Sequence, residues 1–403
     1  MTTNATANST TCCPHAADAV AFALSGHTPS HLKDHIENCA ECRSQFLFTT
    51  RLAQDLRAIP QVEPSPDLTD RIISTLPPPH PHHYRLTWRP ALAAAAALAI
   101  LLGGLSILLH HNTTTSEHDS ASDWLTHNQL DNGSWLPKSH IGNAATYVPA
   151  LTALTALGLE RRTPENRDAV DRAIVALLAG QQPDGAFASA GSARAYNHSM
   201  TTAALLAIKQ LRPDAIPTEP LQRAVELIRA TQRPIGAWGY NHEDDPNTAL
   251  TVWHTDALQR ASTLGWVDHN GHLRKAIRWL RSQQTPTGHF TYDSSPANTT
   301  ATLDAMGYAI LLEAQLPATE HHNLIAQARE TLATLKHNAP NDYYRDFFTA
   351  RVYDAIGETT QATTVRDRIA SLQTSHGAWR ANDRWSPLGG ELYATAMALL
   401  TLQ

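Results

Sequence analysis

TQRPIGAWGYNHEDDPNTALTVWHTDAL, residues 231–258, carries the pattern from which most of this chain is built. Gln232, Gly236 and Trp238 form a Q-x3-G-x-W signature, and an apolar, Ala/Thr-rich run over 248–258 follows it. The signature recurs as Gln129, Gly133, Trp135; as Gln181, Gly185, Phe187; as Gln284, Gly288, Phe290; and as Gln373, Gly377, Trp379. The first four glutamines in chain order stand 52, 51 and 52 residues apart. The last interval is 89 residues and predicts a degenerate unit around His337 to Asp346. A fixed period of this length marks an array of supersecondary units.

Working outward from each signature, a segment of helical apolar spacing precedes it, at 122–129, 168–178, 221–230, 271–282, 324–336 and 364–372. An apolar, small-residue segment follows, at 146–157, 198–206, 248–258, 300–312, 347–356 and 392–402. Each unit therefore reads as an outer helix, a tight turn made by the glycine, and an inner helix. The aromatic is expected to wedge between helices and the glutamine to tie backbone groups of adjacent units. Six pairs can close into a ring, which removes the exposed ends an open solenoid must cap.

WLTHNQLDNGSW (124–135), the 231–258 segment and DYYRDFFTARVYDAIG (342–357) resemble the terpenoid cyclase and protein prenyltransferase α/α-toroid superfamily. The resemblance covers 122–403 and implies the fold more than a reaction. A protein prenyltransferase needs a zinc ligand from Cys, and there is no Cys after Cys42. An acid-initiated cyclase needs a DxDD segment, where this chain has His242, Glu243, Asp244 and Asp245; no DDxxD cluster is present. The expectation is a toroid without catalysis, in which His198, His254, Asp256, Asp304, Arg345, Arg351 and Tyr393 are the polar residues available to a ligand pocket at the ring's mouth.

Upstream, Pro90 to Leu109 (PALAAAAALAILLGGLSILL) has no charged residue and is long enough to cross a bilayer as one helix. Arg85 and Arg89 precede it, and Glu117, Asp119 and Asp123 follow, so the N-terminus is expected in the cytoplasm and the toroid outside. The net charge is −6, split as −1 before the span (seven Lys/Arg, eight Asp/Glu) and −5 after it, which excludes a basic nucleic-acid surface. All four cysteines, Cys12, Cys13, Cys39 and Cys42, lie on the expected reducing side.

His35, Cys39 and Cys42 form H-x3-C-x2-C, with a spacing and donor set that suit Zn²⁺. Cys13 is the candidate fourth ligand, with Cys12 or His15 as alternatives. FALSG (22–26) with HIENCAECRSQF (35–46) resembles the zinc-finger domain of bacterial anti-sigma factors. That resemblance implies a small helical domain that holds an extracytoplasmic-function sigma factor.

The sequence thus reads as an all-α chain: a zinc-binding helical domain (1–58), a Pro-rich linker (59–89), a transmembrane helix (90–110), a polar linker (111–121) and an α/α toroid of about six helix pairs (122–403). The leading functional expectation is an anti-sigma-like regulator of the cytoplasmic membrane, in contact with membrane lipid. Its outer toroid would sense a ligand or envelope protein, and it would not touch nucleic acid directly. The alternative is a membrane-tethered envelope enzyme or binding protein of the toroid superfamily with a merely structural zinc knuckle.

Overall fold

The inner helices are buried on every side, and that decides the architecture. The computed structural model describes residues 30–51 except 41, 45 and 48, and residues 120–403 except 139–143, 163, 190, 192, 242–243, 294, 296–297 and 334–340. Cys13, the Pro-rich linker, the apolar stretch 90–110 and residues 111–119 of the polar linker lie outside these residues, while 120 and 121 of that linker already belong to the first helix of the ring. Among the described residues no helix is long and apolar enough to cross a membrane.

The chain divides into two units, Met1–Ser116 and Glu117–Gln403. In the first, α1 (Ser30–Asn38) runs into a continuing helical turn in which Cys39 N–H donates to His35 O at 2.8 Å and Arg43 N–H to Cys39 O at 2.9 Å.

In the second unit, outer helices α2 (120–127), α4 (Arg167–Ala179), α6 (Thr218–Ala230), α8 (His272–Ser282), α10 (Ala318–Ala333) and α12 (Thr359–Ser371) alternate with inner ones. The inner helices are α3 (Val148–Glu160), α5 (Arg194–Leu211), α7 (Thr248–Thr263), α9 (Ala301–Leu312), α11 (Tyr343–Ala355) and α13 (Ser386–Thr401). Outer α8 buries only Ala276, Trp279 and Leu280, a single stripe. Inner α9 buries every residue from Thr302 to Leu312, as a helix in the centre of a core must. Each inner helix packs on the next, and α13 packs on α3, so the array is a closed toroid of all-α construction.

The signature residues do the joining. Gln129 Nε2 donates to Gly133 O (2.9 Å) in its own turn and to Ala169 O (2.8 Å) at the start of the next outer helix. Gln181 repeats this with Gly185 O and Pro220 O, and Gln232 with Gly236 O and His272 O. Gln284 turns instead to the hydroxyl of Tyr308 at 2.9 Å. Gln373 Nε2 reaches Gly377 O (2.8 Å) and the hydroxyl of Ser120 (3.3 Å), so the last unit is tied to the first helix of the ring. Gln373→Ala should lower stability by about 1–2 kcal/mol in urea denaturation. An unchanged midpoint would show that this tie contributes nothing to closure.

The aromatic position has its own rule. The Nε1–H of Trp135, Trp238 and Trp379 donates to Leu125 O, Ile228 O and Ile369 O on the preceding outer helix. The backbone N–H of each aromatic donates to a side chain on the following inner helix: Thr152, Thr251 and Thr395 for the tryptophans, His198 Nδ1 for Phe187, and Asp304 Oδ1 for Phe290. Larger acceptors thus accompany the smaller aromatic ring.

Candidate functional site

The inner helices all begin at one end of the ring, and the residues at that mouth are aromatic. Tyr147 immediately precedes α3, Tyr196 lies in the first turn of α5, Tyr344 in that of α11, and Trp385 immediately precedes α13. Tyr240 and Tyr292 come from the turns leading into α7 and α9. The Tyr196 and Tyr240 rings meet edge to face at 5.8 Å, the Tyr240 and Tyr292 hydroxyls are 3.0 Å apart, and the Tyr344 and Trp385 ring centres are 6.0 Å apart. Trp253 and Phe348 back Tyr344, and Trp253 Nε1–H donates to its hydroxyl. Tyr196, Tyr240, Tyr292 and Trp385 are only partly buried, so the cluster opens to solvent. Burial, followed for Tyr196 by the neighbouring phenols, raises the Tyr196 and Tyr344 hydroxyls well above their ordinary value and keeps them neutral.

Two buried carboxyls stand beside this cluster. Asp342 accepts from Arg345 N–H (2.9 Å) and Thr302 Oγ1–H (2.8 Å). Asp383 accepts from the Ser386 N–H and hydroxyl (both 2.8 Å), Trp385 N–H (3.0 Å), Tyr343 N–H (3.1 Å) and the Tyr393 hydroxyl (3.2 Å). Burial raises the Asp383 carboxyl, the Ser386 hydroxyl opposes that, and the charge of Asp342 adds to the rise.

The polar residues singled out from sequence separate into four places. His198 and Asp304 are the acceptors for the Phe187 and Phe290 backbone, the position that threonine fills in other units. Asp304 also holds His289 Nδ1 at 2.8 Å. His254 stacks on Trp238, ring centres 4.8 Å apart, and its Nδ1–H donates to Leu250 O. Arg345 pairs with Asp346 at 3.2 Å, on the outer side of α11. Asp256 and Arg351 lie toward the opposite end of the ring, paired at 3.2 Å. Tyr393 alone is at the mouth. His242 and Glu243 lie outside the described residues, and Asp244 is buried in a turn.

Of the tyrosines at the mouth, sequence reasoning singles out Tyr393 and passes over the others, although a signal exists. Tyr147, Tyr196, Tyr240, Tyr292, Tyr344 and Tyr393 recur about once per repeat.

In the N-terminal unit, one potential ligand atom each from His35, Cys39 and Cys42 falls within 4.8 Å of the others. His35 Nε2 and Cys42 Sγ are 3.4 Å apart. Zn–N and Zn–S bonds at a tetrahedral angle put such atoms about 3.5 Å apart, so the donor set fits Zn²⁺.

Residues 93–291 match the family profile of the prenyltransferase alpha-alpha toroid domain, a match that begins inside the apolar stretch. The repeat domain has the α/α-toroid fold that this profile describes. Among curated proteins the chain is similar to drimenyl diphosphate synthase of Streptomyces showdoensis, 28% identical over 148 residues, 35% of this chain and 26% of that one. It is also similar to lanosterol synthase of Aspergillus fumigatus, 24% identical over 185 residues, 43% of this chain and 23% of that one. The chain spans about a quarter of the length of these relatives. Among solved structures, the type II terpene cyclase MstE from Scytonema aligns at 13% identity and a TM-score of 0.52, over 72% of this chain and 98% of that one. An α-1,6-mannanase from Salegentibacter aligns at 9% identity and a TM-score of 0.54, over 72% and 97%. Both likenesses are of fold.

These findings correct the expectation of a toroid without catalysis. The relatives and the fold neighbours carry the names of enzymes, and none of those named is an anti-sigma factor. The physical reason for the error is that it sought acids within one contiguous motif. The buried carboxyls here come from successive units, Asp342 before α11 and Asp383 before α13, and are brought near one another only in the ring, where Tyr343 N–H donates to Asp383.

Proposed function

We propose that the toroid is an enzyme of the terpenoid cyclase/prenyltransferase-like superfamily, tethered to the cytoplasmic membrane through Pro90–Leu109 and acting on an isoprenoid chain at the aromatic mouth. The observation that carries this reading is the juxtaposition of open aromatic rings with a buried carboxyl pair. An isoprenoid is apolar and reacts through positive charge on carbon. Rings such as Tyr196, Tyr240 and Tyr344 bury its chain and offer π faces to that charge. Burial raises the Asp383 carboxyl and the neighbouring charge of Asp342 adds to that rise, so Asp383 is the carboxyl that keeps a proton. In the proposed step that proton adds to a chain double bond, the electron pair of the alkene forms the new C–H bond, and a later C–H proton returns to the carboxylate.

Full-length protein incubated with farnesyl diphosphate, geranylgeranyl diphosphate and squalene should yield cyclic product by gas chromatography–mass spectrometry. Asp342→Asn keeps an acceptor for the Arg345 amide, since Asn caps helices as well as Asp. It should lower turnover by about 100-fold while the fold is kept. Absence of any conversion, or a fully active Asp342→Asn, would refute the reading. Mannose release from α-mannan in parallel would redirect it to glycoside hydrolysis, which also needs two carboxyls.

For the N-terminal unit the cluster of His35, Cys39 and Cys42 supports a structural Zn²⁺ site closed by Cys13. So short a segment depends on the metal for its folding energy. Cys39→Ser should abolish bound zinc in elemental analysis of the purified chain; retained zinc would overturn the ligand set. The same unit is the surface on which an extracytoplasmic-function sigma factor would dock. Co-purification of the full-length chain from its native cell tests that partner, and recovery without a sigma factor leaves the knuckle structural.

A further inference from the structure

Inner helix α13 is broken one turn before Tyr393. Gly390 has φ +59° and ψ −157° inside it, a backbone state that glycine alone holds readily, and Lys138 O would lie 2.6 Å from a Cβ added there. A Cβ on Gly389 would sit 2.3 Å from Cβ of Tyr393, so its absence makes room for the tyrosine. Helical side chains lean toward the N-terminus, and the Tyr393 hydroxyl reaches back to Asp383 Oδ2 at 3.2 Å. Its register is that of the mouth. Tyr393 stands two residues before Thr395, the acceptor for Trp379 N–H. Tyr196 and Thr302 stand two before His198 and Asp304, the acceptors for Phe187 and Phe290. Tyr196 belongs to the aromatic cluster, and Thr302 donates to Asp342.

The hydrogen bonds on Asp383 leave one position for a proton. A carboxylate offers about four lone-pair directions, shared between its two oxygens. Oδ1 takes the amides of Trp385 and Ser386 and the Ser386 hydroxyl. Oδ2 takes the Tyr343 amide and the Tyr393 hydroxyl. Amide hydrogens cannot turn away, whereas hydroxyls can. With the Ser386 hydroxyl turned, Oδ1 is still filled by two amides; with the Tyr393 hydroxyl turned, Oδ2 has one direction free. A proton on Asp383 therefore lies on Oδ2 and points at the phenol oxygen, and the phenol hydrogen must leave that line. Burial holds the phenol itself well above its ordinary value, with Asp383, Asp342 and Tyr344 adding to the rise, so Tyr393 is neutral at rest.

We propose that Tyr393 relays the proton of Asp383 to the bound chain, a role that rests on the reading of the mouth as a site of alkene protonation. The Asp383 Oδ2–H bond breaks as the phenol oxygen takes that proton. The original phenol O–H bond breaks as the electron pair of the alkene forms the new C–H bond. Asp383 is left as the carboxylate, and Tyr393, still neutral, donates to it again, as it does at 3.2 Å. Tyr393→Phe keeps the ring and removes only the oxygen. In infrared spectra of the full-length protein, the carboxylic-acid carbonyl band missing from Asp383→Asn identifies Asp383. Losing a donor to the carboxylate should carry that band to higher pH in Tyr393→Phe. Turnover of the isoprenoid substrates should nevertheless fall by about 100-fold with KM unchanged. An acid acting directly would hold its proton over a wider range in this variant and lose no turnover, so undiminished turnover overturns the relay. A band that does not move overturns the pairing, whether or not any isoprenoid is converted. A band that moves, with no conversion by the unaltered protein, overturns the reading of the mouth and upholds the pairing.

Discussion

Lowering the pH from 6.5 to 4.5 is expected to cost the repeat domain about 4 kcal/mol of stability through two histidines alone, His198 and His254. Burial pushes His198 down to about 3, with a further push from His254. Burial likewise lowers His254 to about 4. The hydrogen bonds of His198 agree with a neutral ring: Nδ1 accepts from Phe187 N–H at 3.3 Å, and Nε2–H donates to Ala224 O at 3.2 Å. A second ring proton would face the Phe187 amide hydrogen. Unfolded, each histidine takes up a proton near its ordinary value of about 6.5; folded, neither does so until the pH is far lower. The unfolded chain therefore binds more protons across this window. The contribution is fully present above the unfolded value and is lost as the pH falls toward the folded ones. Urea denaturation between pH 7 and 4.5 measures the slope directly. His198→Thr provides the control, because Thr152, Thr251 and Thr395 fill the same role in other units. It should reduce the slope attributable to this pair by about half. An unchanged slope would show that His198 is not the group titrating.

Gly377→Ala is expected to destabilise the ring by about 4 kcal/mol, combining backbone strain with overpacking. Gly377 has φ +91°, and a Cβ placed there would sit 2.2 Å from Ser120 O, a backbone atom of the first outer helix. The new methyl cannot be accommodated by turning a side chain; the seam between the last unit and the first must open. Gly357→Ala is the comparison. Gly357 has φ +74°, and a Cβ added to it would meet nothing within 4 Å, so it should lose only the left-handed backbone cost, about 1–2 kcal/mol. The difference between the two urea-derived values measures closure. Equal losses would mean that the contact with Ser120 contributes nothing.

Both experiments exploit features whose sequence signal is unequal. Gly377 belongs to a signature visible five times in the chain, so its turn and its neighbours follow from repetition. His198 reads in the sequence as a candidate ligand, because a lone histidine in an apolar helix carries no label saying which backbone amide it serves. Its role emerges only in the fold, where Phe187 lacks the threonine neighbour that each tryptophan has. The anti-sigma resemblance rests on a short motif of three ligands; the geometry brings those ligands together, while the comparisons lend no support to the regulatory reading.

The period, the alternation of striped outer helices with small-residue inner ones, and the positions of the turns are legible in the chain alone. These depend on residues close together along the chain, through helix periodicity and the backbone freedom of glycine. What lies at the two ends of the ring follows from its closure. Closing α13 onto α3 brings tyrosines from successive units to one end and sets Asp342 near Asp383. The same closure carries Arg351 to Asp256, 95 residues earlier in the chain, at the other end. Those contacts are set by the curvature that the helix packing imposes, and no local pattern in the chain encodes that curvature.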